Sequence, residues 1–233
     1  MKSIPVVFEN DDFVVINKPE GIAVQNEQTQ SGILPLIQQQ LQLDKLWLVH
    51  RLDKVTSGLL ILAKNVNAAS RLSQYFAERK IQKYYLAISD KKPKKKQGSV
   101  IGDMHKIRDG KWALKKSVLQ PAAGQFFSAG LGDGQRLFVI RPHTGKTHQI
   151  RVMLKSLSSP IVGDSSYGGT PSDRTYLHAY GLAFEDAGQH IQINCMPESG
   201  QHFAISSDNP KVAALLSPWD LAWPQLNIKK SNT

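Results

Sequence analysis

The stretch His50-Arg51-Leu52-Asp53-Lys54-Val55-Thr56-Ser57-Gly58-Leu59-Leu60-Ile61-Leu62-Ala63-Lys64 joins two kinds of sequence end to end. The first half is charged and closes on the turn residues Thr56-Ser57-Gly58. The second, Leu59 to Ala63, is an apolar run of strand length and reads as a buried strand. A charged loop feeding a buried strand sets polar groups at the rim of a rigid element, where sites are often built. The plain alternative is a surface loop carrying an Arg/Asp pair.

Upstream, Pro5-Val6-Val7-Phe8 and Phe13-Val14-Val15-Ile16 flank Asn10-Asp11-Asp12, the pattern of a hairpin. Pro35 precedes Leu36, Ile37 and Leu41 in a short helix. Downstream, Ala68, Ala69, Leu72, Tyr75 and Phe76 recur at helical spacing, with Asn65 or Asn67 as the cap and an end near Lys80. Tyr84 to Ile88 has strand composition, and the run Lys91-Lys92-Pro93-Lys94-Lys95-Lys96 with Gly98 breaks it into a loop. Gly130-Leu131-Gly132-Asp133-Gly134 leads into the strand Leu137 to Ile140 rather than into a helix, so it is a hairpin turn and not a dinucleotide loop. Ile150, Met153, Leu154 and Leu157 predict a helix from Thr147 that stops at Ser158-Ser159-Pro160. Strands come next around Tyr176 to Ala179 and Ile191 to Asn194, and Asp208-Asn209-Pro210 opens a last short helix. Strands and helices mix without βαβ alternation, which predicts an α+β fold: a single domain over residues 1–233 with a mixed, mostly antiparallel central sheet flanked by helices and loops.

The chain has 233 residues, 41% of them hydrophobic, enough for a packed core and too many for wholesale disorder. Its net charge of +10 is concentrated. Residues 71–120 hold 14 basic and four acidic side chains, while the remainder balances. Such a local field favours a polyanionic partner, nucleic acid before membrane. The lone Cys195 cannot form an intrachain disulfide, and neither a signal core nor a run of spanning length is present, so a cytoplasmic protein is expected.

A second polar segment, Arg141-Pro142-His143-Thr144-Gly145-Lys146-Thr147-His148-Gln149-Ile150-Arg151, brings three cations and two histidines to the start of a helix. His143 and His148 are five apart with no carboxylate between them, unlike a helical zinc site, so no metal is expected. No nucleophile elbow and no Walker loop occurs.

Together these segments resemble the RluA-like pseudouridine synthases. The resemblance rests on the string from His50 to Lys64 and on Asn17-Lys18-Pro19-Glu20-Gly21, Lys83-Tyr84-Tyr85-Leu86-Ala87, Thr144-Gly145-Lys146-Thr147-His148-Gln149-Ile150-Arg151, and Pro160-Ile161-Val162-Gly163-Asp164 with Tyr167-Gly168. These blocks keep order and spacing over about residues 5–185.

The resemblance implies an RNA isomerase that turns a flipped-out uridine of structured RNA, transfer or ribosomal, into pseudouridine. Asp53 matches the family's essential aspartate, Tyr85 the aromatic that stacks on uracil, and Arg151 the arginine that pairs with the aspartate. Arg51 matches a residue that helps fill the gap left by the flipped base; His50, Thr56, Lys146, His148 and Ile161 are expected around the substrate, and Lys94, Lys95, Lys96, Lys115 and Lys116 on the RNA backbone.

The chemistry asks for these residue types. Breaking N1–C1′, turning the base and rejoining through C5 needs no redox agent, metal or other cofactor. Uracil is a leaving group that spreads its own charge, so one carboxylate can serve where glycosidases use two. Whether Asp53 attacks C1′ or removes a ribose proton stays open. Two departures stand out: Lys146 where arginine is usual, and Gly124 where threonine is common. Fewer than ten residues precede the first strand, so a separate N-terminal RNA-binding domain is not expected. The alternatives are a catalytically silent RNA-binding protein on the same fold, or an acid/base hydrolase with a second carboxylate near Asp53. DNA and membrane partners are not expected, and a monomer is the default.

Overall fold

The computed structural model describes residues 3–26 and 31–226. In chain order the elements are β1 (Val6–Glu9), β2 (Phe13–Lys18), α1 (Ile33–Leu41), β3 (Trp47–Leu48), β4 (Ser57–Ala63), α2 (Val66–Ala77), β5 (Gln82–Ser89), β6 (Gln97–Lys106), β7 (Trp112–Lys115), β8 (Ala122–Gly132), β9 (Gln135–Pro142), α3 (Gln149–Ser156), β10 (Leu177–Asp186), β11 (Gln189–Asn194) and α4 (Pro210–Leu215). The described residues form two compact units: those up to Lys83 with His178–Glu198, and Tyr84–Leu177 with Ser199–Leu226. The class is α+β, and among the described residues strand pairing within each unit is antiparallel except for that of β4 with β10.

The first unit is built on β2 and β4, which pair antiparallel from Phe13↔Ala63 to Lys18↔Gly58. Every residue of both strands is buried, which is why each reads as an unbroken apolar run rather than an alternating one. β1 extends the sheet beside β2, β3 pairs with the far end of β4, and the hairpin of β10 and β11 joins through β10. Ala68 and Leu72 of α2 pack onto Phe13, Val15, Leu59 and Ile61. The expected cap of α2 is Asn65, whose side chain accepts the Ala68 N–H at 2.8 Å. Arg71 ties the helix to the sheet, with Nε 2.8 Å from Asp186 and Nη2 2.6 Å from Asp12.

The second unit orders its strands β5-β9-β8-β6-β7, all antiparallel. Asp133 and Gly134, at φ 47° and 75°, make the tight turn between β8 and β9 that the glycine-rich segment predicts. The lysine run is a loop, as expected, and all five of its lysines are exposed. Gly98, expected in that loop, lies in β6 instead. β6, β7 and β8 carry the chain from 97 to 132 in strands that no clear alternation announces. α4 begins with Pro210 and is capped by Asn209, as its sequence predicts. Beyond it, Trp219 and Trp223 pack on Tyr84, with ring centroids 5.7 and 6.1 Å away.

Candidate active site

Asp53 lies half-buried in a turn closed by a Thr56 N–H to Asp53 C=O hydrogen bond of 2.9 Å. Three fastenings hold this turn. Lys18, at 0% exposure, donates its ammonium to the carbonyls of Pro19 at 2.8 Å, Ile22 at 2.9 Å and Lys54 at 3.5 Å. Gly21 donates its N–H to the same Lys54 carbonyl at 2.8 Å, so the Asn17–Gly21 motif is clamped to the residue that comes after Asp53. On the other side His50 Nε2 accepts the Ile61 N–H at 2.9 Å.

β4 pairs with β10 at Ser57 and Gly58 and with β3 at Leu62 and Ala63, and the imidazole meets the strand between those two pairings. The ring stacks on Phe76, centroids 4.2 Å apart. Burial, with a smaller push from the Lys83 ammonium, lowers the His50 pKa to about 3, so the ring is neutral and able to accept.

The third fastening is the entry to β4. Gly58 has φ 113°, and a Cβ there would stand 2.3 Å from the Ala179 carbonyl oxygen. Only glycine permits this close parallel approach. Beside it Ser57 Oγ lies 2.8 Å from His178 Nδ1, and His178 Nε2 lies 2.9 Å from the Cys195 carbonyl. Arg51 and Lys54 are exposed and line a cavity of about 450 Å³ with Ala23, Val24, Leu48 and Val49.

The second unit presents Tyr85 and Arg151. Tyr85 is half-buried on β5 opposite Ile140, while its neighbour Tyr84, on the other face of the strand, is buried against the tryptophans. The loop before α3 is braced by Gln149, whose Oε1 accepts from Thr144 Oγ1 at 2.6 Å and from the Lys146 N–H at 3.0 Å; the Lys146 side chain is exposed. His148, at φ 57°, starts the helix. One turn on, Arg151 forks Asp164 with Nε 2.7 Å and Nη2 2.8 Å from its two oxygens, and both side chains are buried, 6% and 1% exposed. A paired fork of this geometry is how a guanidinium is kept charged away from water.

The expected substrate residues divide. Arg51 and Lys146 face solvent, His50 is engaged with β4, and His148 bonds Tyr167. Thr56 and Ile161 are buried, at 2% and 1% exposure. Lys94, Lys95, Lys96, Lys115 and Lys116 are all exposed. The sequence motifs contain Lys18, Asp164 and Tyr167 without marking a task for them. A lysine ending the apolar run Phe13–Ile16 and an aspartate after Ile161-Val162-Gly163 are the signals that could have drawn attention to two of them. At Gly124 a Cβ would stand 2.7 Å from Met153 Cε and 2.9 Å from its sulfur, so a larger residue there displaces the end of that flexible side chain. Among the described residues no group of three or more His, Cys, Asp or Glu could hold a metal, and no helix is long and apolar enough to cross a membrane.

Comparisons with known proteins show the family and the fold. A family model described as RNA pseudouridylate synthase matches residues 12–156, a span that includes Asp53, Tyr85 and Arg151. A protein named "Uncharacterized RNA pseudouridine synthase" from Haemophilus influenzae is 52% identical over 200 residues, covering 85% of this chain and 89% of its own. The "Ribosomal large subunit pseudouridine synthase C" of Rickettsia bellii is 35% identical over 220 residues, covering 85% and 69%. Among solved structures, Human RNA Pseudouridylate Synthase Domain Containing 1 shares the fold, with a TM-score of 0.75 at 22% identity over 95% of this chain and 97% of that one. The protein is an isomerase of the RNA-modifying class. Within that class, it belongs to the RNA pseudouridylate synthase family.

Proposed function

We propose that this pseudouridine synthase acts on a flipped-out uridine of structured ribosomal RNA, with Asp53 as the carboxylate that opens the N1–C1′ bond. Relatives named for the large ribosomal subunit favour ribosomal over transfer RNA. The two units act as one catalytic domain, a monomer working in the cytoplasm. Tyr85 offers a flat, half-exposed face on which the detached uracil turns before C5 joins C1′. Arg151, already oriented by Asp164, stabilises the negative charge of the reaction. Arg51, exposed beside Asp53, braces the gap in the RNA stack. The lysines at 94–96, 115 and 116 hold phosphates.

The observation that carries the assignment is the fastening of the Asp53 turn on both sides, by the buried Lys18 ammonium and by His50. A catalytic group is effective when held in place before its substrate arrives. The test uses RNA from a strain deleted for this gene, incubated with wild type or Asp53→Ala and mapped for pseudouridine. Wild type restores the missing site in the large-subunit RNA and Asp53→Ala does not. Restoration by both proteins removes Asp53 from the mechanism, and restoration in transfer RNA alone corrects the substrate.

A further inference from the structure

Tyr167 has no part in the chemistry above, yet contacts from Trp112, His148 and Arg151 converge on it. Its side chain is buried, and its hydroxyl oxygen lies 3.0 Å from the Trp112 backbone nitrogen, which donates to it, and 2.9 Å from His148 Nδ1. A phenol oxygen can accept from the one and donate to the other. Trp112 opens β7, the strand that pairs with β6 and ends at Lys115, so the first bond fastens the lysine-bearing hairpin. His148 stands at φ 57°, a conformation a side chain adopts only when its surroundings hold it, and it is the residue from which α3 starts. The third contact belongs to the ring. The guanidinium carbon of Arg151 lies 4.9 Å from the Tyr167 centroid, while the same guanidinium forks Asp164, whose carbonyl accepts the Tyr167 N–H at 3.2 Å. Ring and carboxylate thus orient one cation from two directions.

We propose that Tyr167 is a positioning residue with two separable halves: the hydroxyl holds the β6–β7 hairpin against the start of α3 for RNA binding, and the ring sets Arg151 for turnover. The proposal rests on the reading in which the hairpin lysines bind RNA and Arg151 serves the uridine. It predicts a split that a merely structural residue would not give. Tyr167→Phe keeps the ring and loses the hydroxyl. It raises KM for the mapped ribosomal RNA about fivefold, the size of the lost hydrogen bond to the Trp112 N–H, and moves kcat less than about twofold. Tyr167→Met fills similar space without a ring and lowers kcat about tenfold as well.

Both variants are melted alongside wild type, and the Phe variant decides the hydroxyl half by itself should the Met variant lose its fold. A Phe variant with wild-type KM overturns the proposal, as does a Met variant whose kcat equals that of the Phe variant. Arg151→Ala separates the two levels of argument. Full turnover in Arg151→Ala sinks the role given to the arginine, whereas loss there with an intact Tyr167→Met sinks only the role given to the tyrosine.

Discussion

Two of the buried cations, Lys18 in the first unit and Arg151 in the second, are stabilised in opposite ways. Lys18 spends its ammonium on the main-chain carbonyls of Pro19, Ile22 and Lys54, and so holds backbone to backbone around Asp53. Arg151 gives its planar fork to the carboxylate of Asp164 and its face to an aromatic ring, and so is itself the thing being held. The difference arises from the side chains. A compact ammonium with three donors can gather carbonyls from several directions, whereas a guanidinium meets two oxygens in one plane. The first arrangement shapes a loop, and the second aims a charge.

The comparison is most easily broken at Asp164. Asp164→Ala leaves the Arg151 charge buried without its fork and costs about 3–5 kcal/mol in denaturant titrations; a loss under about 1 kcal/mol would mean that the fork is not what keeps Arg151 in place. Lys18→Met strands carbonyls rather than a charge and costs less, about 2 kcal/mol, with turnover falling further than stability because the Asp53 turn loosens. If it destabilises as much as Asp164→Ala, the distinction between the two cations fails.

His50 gives a pH-dependent effect on the same turn. The folded state holds its pKa near 3, against an ordinary 6.5. Between those values the unfolded chain binds a proton that the folded protein refuses. Stability is therefore lost as pH falls from about 6.5 toward 3, by at most about 1.4 kcal/mol per unit. Melting curves of His50→Asn across that window should be correspondingly flatter, and an unchanged slope removes His50 from the account.

The smallest effect on stability comes from the exposed cations. Replacing Lys94, Lys95 and Lys96 with alanine leaves the melting temperature within error and lowers the slope of log affinity for RNA against log salt by about 2–3. An unaltered slope would move phosphate binding elsewhere on the protein.

How much of this was legible in the sequence depended on how local the cause was. The cap at Asn65, the Asp133-Gly134 turn and the Asn209-Pro210 start of α4 are decided within a few residues, and each is where the pattern puts it. β6 escapes a sequence reading because its residues mix apolar with polar on both faces, and β7 because four residues are too few to show an alternation. β8 escapes it although Ala122, Ala123, Phe126 and Ala129 are buried, because Gly124, Gly130 and Gly132 interrupt the alternation. Their strand state comes from pairing, as in Ile101 with Ala123 and Met104 with Leu114, which no window of local sequence contains. The site shows the same division. Asp53, Tyr85 and Arg151 stand in recognisable strings, whereas the Lys54 carbonyl that meets Lys18 and the Asp164 carboxylate that meets Arg151 are set by tertiary contacts, and a buried charge in a sequence does not say what will meet it.

The meeting of Gly124 with the end of Met153 has an evolutionary consequence. The two positions share one volume, so the amino acid allowed at either depends on which is present at the other. A lineage that enlarges 124 first collides with the thioether, and one that shortens 153 first opens a void; a viable route passes through a residue as pliable as methionine. Among homologues the pair should covary, a long flexible side chain opposite glycine and a shorter one opposite threonine, so that reading one position foretells the other.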